Sequence, residues 1–109
     1  MKKIEERKRY LIFKIVGNIE IDKKELDSKI SAVIKRLYGI QGLVHSGYKL
    51  MVYNRHTKTG IIRCNHKDLD LVRSSLLFLP NVINSGDVNV ITIKTSGTLS
   101  KAMKSLEKT

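Results

Sequence analysis

Apolar positions along the chain switch between a spacing of two and a spacing of three to four, and the switches divide it into elements. From Arg9 to Val16, RYLIFKIV puts Leu11, Phe13 and Ile15 on one side and Tyr10, Ile12, Lys14 and Val16 on the other. Two largely apolar faces predict a central strand whose second side is also partly covered. From Asp22 to Leu37, Leu26, Ile30, Val33, Ile34 and Leu37 form one helical stripe, with Asp22 and Glu25 as a capping box and Gly39 as the terminator. Lys35 and Arg36 in its last turns suit the helix dipole. Gly39 to Gly47, with three glycines, is expected as a loop. Tyr48–Asn54 and Lys58–Cys64 are rich in β-formers and are separated by Arg-His-Thr, which predicts a hairpin. Asn65 then stands where a helix N-cap belongs, Leu69, Val72, Leu76 and Leu79 follow at helical spacing, and Pro80 is expected to end that helix. Asn81–Asp87 is a turn-rich connection and Val88–Thr95 a fourth strand. Ser96-Gly97-Thr98 opens a last helix with a stripe of Leu99, Ala102, Met103 and Leu106, and with Lys101, Lys104 and Lys108 on its outer side.

The order β-α-β-β-α-β plus a helix predicts an α+β chain. It is a ferredoxin-like/RRM-like antiparallel sheet with both long helices on one face and an added C-terminal helix. Right-handed crossovers put the first and third strands in the middle. RNA-recognition motifs stack bases on aromatics of those two strands, but the third strand, KTGIIRCN, has none. With Leu11, Phe13, Ile15, Ile62 and Cys64 turned to the helices, the open face of the central pair would show Ile12, Lys14, Ile61 and Arg63. That face lacks a stacking platform and suits a covering helix plus phosphate contacts. Met103 and Leu106 are expected to be buried there or against a partner chain.

Charge sharpens the picture. The 109 residues hold 21 Lys and Arg against 10 Asp and Glu, a net charge of +11, and their spread is uneven. No acid lies between Asp27 and Asp68, an interval with eight basic residues, and none between Asp87 and Glu107, with three lysines. Four acids crowd into Glu20–Asp27. A surface tuned only for solubility would interleave the signs, so the pattern points to a polyanionic partner. The length suits a basic arm, residues 1–8, followed by one domain, residues 9–109. No apolar run approaches a membrane span, the N-terminus lacks a signal-like stretch, and a single cysteine, Cys64, excludes an internal disulfide. A cytoplasmic chain is expected.

Candidate chemistry is sparse. Cys64 and His66 are two apart but have too few companions for a zinc site. Asp68 and Asp70 read as dipole partners at a helix start, because i and i+2 do not share a helix face. No catalytic or metal-ligating set emerges. For RNA contact, Arg55 and Lys58 flank the hairpin loop and Arg63 stands on a rigid strand; Lys49, Lys67 and Arg73 come next, with Arg73 the best candidate for a structural or partner-facing role. Charge and pattern alone leave open a general structured-RNA binder of ribosomal or snoRNP type, or a ferredoxin-like module that dimerises.

RYLIFKI, LYGIQGL, MVYNRHTKTGIIRCNHKDLDLVRSSL and SGTLSKAMKSL together resemble the archaeal ribonuclease P protein component 2 family, whose eukaryotic counterpart is the Pop-type subunit. The resemblance runs from about Arg9 to Leu106, and the absence of the acidic tail of eukaryotic relatives favours an archaeal source. It implies a non-catalytic subunit of an endoribonuclease that removes the 5′ leader of precursor tRNA. In that family the RNA subunit with Mg²⁺ performs the cleavage, so no cofactor is expected on this chain. The implied partners are ribonuclease P RNA, the TIM-barrel protein component 3, other ribonuclease P proteins and a second copy of this subunit.

Overall fold

The computed structural model describes residues 7–83 and 88–107. The elements run β1 (Lys8–Val16), α1 (Lys23–His45), β2 (Lys49–Asn54), β3 (Thr59–Asn65), a 3-10 turn (His66–Asp68), α2 (Leu69–Ile83), β4 (Asn89–Ser96) and α3 (Leu99–Glu107). Of the expected basic arm, Lys8 already belongs to β1, and residues 1–6 lie outside the described residues, as does Lys108.

The strands form one antiparallel sheet in the order β2-β3-β1-β4, the ferredoxin-like arrangement, with β1 and β3 central. Side chains alternate across it as period two demands. Leu11, Phe13, Ile15, Leu50, Ile62 and Cys64 face α1 and α2, where Leu26, Ile30, Val33, Ile34, Val72, Leu76 and Leu79 close the main core. Ile12 and Ile61 face the other way and are fully buried with Ala102 of α3, while Tyr10, Val52, Leu99 and Leu106 pack around them. The last helix therefore covers the second face of β1, as its two apolar faces require. Met103 is the exception to the expected stripe: it stays 36% exposed, because Ala102 takes the central position against the sheet.

Four local expectations need correction. Gly39 breaks α1 with φ 77° and ψ 176°, a conformation that favours glycine, but the chain resumes helical geometry and continues to His45 instead of forming a loop. Pro80 lies inside α2, which runs on to Ile83, so Asn81 is helical. A proline this close to a helix end removes a single hydrogen bond, and Leu79 and Ile83 remain buried on either side of it. Asn65 precedes a 3-10 turn and makes no side-chain cap; its amide is used elsewhere. Lys58 belongs to the hairpin turn and not to β3, with φ 58°. The Asp22 cap does form, its Oδ1 accepting from Glu25 N at 2.8 Å.

Candidate nucleic-acid interface

The six cations singled out from the sequence fall into three places. Arg55 and Lys58 sit at the hairpin turn. That turn is built by Asn54, whose Oδ1 accepts from His56 N at 2.9 Å and Thr57 N at 3.3 Å, and whose carbonyl accepts from Lys58 N at 2.7 Å. Both cations also reach the β1–α1 connection. Lys58 Nζ donates to the Gly17 carbonyl, and Arg55 stands 3.6 Å from Glu20 in an exposed ion pair. The Lys58 contact ties the turn down and helps hold its left-handed backbone; the ion pair, at the surface, contributes little. One of the first-choice cations, Lys58, thus has a structural task at this end.

The opposite end of the hairpin is different. Lys49 of β2 and Arg63 of β3 are direct cross-strand partners on the face away from α1 and α2, and Tyr10 of β1 lies on the other side of Arg63. Like charges directly opposite each other destabilise a sheet, so folding alone gives no reason for this pair. Arg63 Nε is buried without a hydrogen-bond partner, although a guanidinium normally fills its donors with carboxylate or phosphate oxygens. Lys67 is exposed on the 3-10 turn that follows β3. Arg73 lies one turn into α2, in the helical layer, so it does not share the face of Arg63; its Nε is likewise buried and unpartnered.

A set of hydrogen bonds fixes this end. Asn65 donates from Nδ2 to the His45 carbonyl at 2.7 Å and accepts from Lys8 Nζ through Oδ1. Asn65 N donates to Ser46 O at 2.8 Å, and His66 N to Arg7 O at 2.7 Å. Gly47 fits against the same amide, where an added Cβ would come within 2.9 Å of Asn65 Oδ1. The helical segment after Gly39, the turn at Ser46–Gly47 and the start of β1 are thereby locked around the end of β3, directly beside Lys49. Tyr48 supports the turn from the other side by donating to Asp27 Oδ1 at 2.8 Å. Burial, then the Asp27 carboxylate, pushes its phenol well above the ordinary tyrosine range.

An aromatic does stand on the open face of a central strand, contrary to the expectation drawn from β3 alone. Tyr10 pairs across from Arg63, but it packs against Ile12, Ile61 and Ala102 and so helps seat α3. The sequence reading also passed over Lys94, and it placed Lys101 and Lys104 on the outer side of α3. Lys94 is opposite Ile12 on the face that α3 covers, and it lines a groove together with Lys101 and Lys104. The acid-free stretch between Asp87 and Glu107 was the available signal.

Cys64 is buried in the main core while His66 is exposed, and burial, with Asp68 nearby, pushes the thiol up to about 11. Among the described residues, no three His, Cys, Asp or Glu side chains come together in a way that could hold a metal ion. No helix among them is long and apolar enough to cross a membrane.

The Rpp14/Pop5 family profile matches residues 9–107. The chain is 32% identical over 99 residues to ribonuclease P protein component 2 of Methanococcus aeolicus, covering 91% of this chain and 71% of that protein. It is 31% identical over 103 residues to the component 2 protein of Saccharolobus solfataricus, covering 94% and 71%. A chain in the cryo-EM structure of yeast ribonuclease MRP superposes with a TM-score of 0.62 over 98% of this chain and 96% of that one; at 22% identity it supports the fold. On the profile match over nearly the whole chain and these identities, the chain belongs to the Rpp14/Pop5 family of ribonuclease P protein subunits.

Proposed function

We propose that this ribonuclease P subunit performs no chemistry itself and supports the catalytic RNA by neutralising phosphates at the corner formed by Lys49 and Arg63. The observation that carries the reading is the buried, unpartnered Nε of Arg63 beside a lysine directly across the ladder. A phosphate there would supply the missing acceptor and relieve the like-charge contact at once. Lys67 extends the same end of the molecule. Arg55 and Lys58 contribute from the hairpin turn with whatever donors Glu20 and Gly17 leave, and Arg73 serves a protein-facing or structural role. Mg²⁺ belongs to the RNA, where lower phosphate repulsion lets crowded helices approach and hold the ion. The substrate of the complex is precursor tRNA, and the site of work is the cytoplasm.

Protein partners have a different surface. On the helical layer Ile40, Leu77 and Phe78 are 62%, 68% and 50% exposed, an apolar area that a TIM-barrel component 3 subunit or a second copy of this chain would cover. Binding of the ribonuclease P RNA across a salt series tests the RNA corner. Arg63→Ala should weaken binding at low salt and flatten the plot of log affinity against log salt by ~0.7 per lost phosphate contact. An unchanged slope, with the variant folded, contradicts the reading.

A further inference from the structure

We infer that the groove between the end of β4 and α3 is a second RNA-backbone site, in which Lys94, Lys101 and Lys104 take phosphates; this rests on the reading that the chain binds RNA. The groove is open, with a volume of about 420 Å³, and its floor runs through Ser96 and Gly97. Its charge is assembled by packing. Ile12 and Ile61 bury Ala102, which seats α3 on the same sheet face as Lys94. Lys101 and Lys104, three apart and so on one side of the helix, then line the groove together with Lys94.

Among the described residues none of these lysines forms an ion pair, and the one acid of α3, Glu107, lies three residues past Lys104 at the end of the helix. Cations gathered in a groove repel one another, and an anionic ligand removes that repulsion. The groove suits a sugar-phosphate backbone better than a base or a nucleotide pocket, since no aromatic lines it and ammonium groups act as adaptable point charges. It also continues the first site. Arg63, Tyr10 and Ser96 lie in one row across β3, β1 and β4, so the groove begins about 10 Å from Arg63, two strand spacings away. A strand of RNA crossing that end of the sheet would meet both.

The test uses the full chain and labelled ribonuclease P RNA, with polyglutamate as a second polyanion. All three lysines are exposed, so the K94A/K101A/K104A variant should melt like the wild type. It should bind the RNA more weakly at low salt and flatten the log–log salt slope by roughly 2, three contacts at ~0.7 each. The triple arginine variant should restore the slope, and Arg63→Ala should add its own loss to the lysine variant. If the lysine variant keeps the wild-type slope while Arg63→Ala flattens it, the groove is not an RNA site and the Arg63 corner stands. A loss of polyglutamate binding with RNA binding intact would hand the groove to an acidic protein and overturn the assignment. A wild-type chain showing no salt-dependent RNA binding would overturn the RNA reading itself, and the groove with it.

Discussion

Gly60 shows how much a single position in this sheet can require. It lies between Phe13 on β1 and Tyr53 on β2 in one cross-strand row, and the two rings close over it with centroids 6.4 Å apart. A Cβ at Gly60 would stand 2.7 Å from Phe13 Cζ and 2.8 Å from the Val52 carbonyl, and the carbonyl cannot swing away as a side chain can. Gly60→Ala should therefore lower unfolding stability by about 1–3 kcal/mol, read as a fall in the urea midpoint; a wild-type midpoint would show that the rings move without strain. This requirement was not legible in the sequence, where Gly60 is one glycine among seven. The same holds for Asn65. Its position suggested a helix cap, yet its amide joins His45 to Lys8, partners distant in sequence that only the fold brings near. Lys58 read as a free cation at a loop, and its contact with Gly17 depends on how two loops meet. Arg63, by contrast, was legible: strand alternation alone put it on the face away from the helices.

At the level of elements, the covering of the sheet's second face by α3 is the most consequential feature. Ile12 and Ile61 are fully buried only because that helix lies over them. Truncation after Thr98 should lower stability by about 3–6 kcal/mol, from re-exposing two isoleucines, with a matching drop in melting temperature. A truncated chain that melts like the full one would mean α3 adds nothing to the fold. Leu106→Ala should have a smaller effect, because Leu106 is only partly buried. Here the sequence was informative, since two apolar faces on β1 demand two covers. It was less so at helix boundaries. Gly39 does break α1, but packing and the Asn65 contacts favour a further helical segment beyond it, and Pro80 is absorbed because its neighbours in α2 remain buried. Local signals mark where a helix can stop, while tertiary contacts decide whether it does.

For the molecule as a whole, charge and apolar surface are interleaved: Arg36 stands beside Leu37 and Phe78, and Ile91, Ile93 and Met103 are exposed on the elements that carry Lys94, Lys101 and Lys104. The cations of Lys49, Arg63, Lys67, Lys94, Lys101 and Lys104 gather toward one end of the sheet and the α3 side, while exposed Leu77 and Phe78 belong to the helical layer. The sequence disclosed the cations through its acid-free intervals and left Leu77 and Phe78 off the apolar stripe of α2, whereas Leu37, expected in the stripe of α1, is exposed in the fold. The most direct test of the supporting role is cleavage of precursor tRNA by the reconstituted complex across a Mg²⁺ series, with wild-type protein and with Arg63→Ala. A subunit that only neutralises phosphates can be replaced by more cation, so the variant should need more Mg²⁺ to reach half-maximal rate and should recover the wild-type rate at saturation. A folded, assembled Arg63→Ala complex whose rate stays depressed by orders of magnitude at every Mg²⁺ concentration would place the protein in the chemistry and contradict the account.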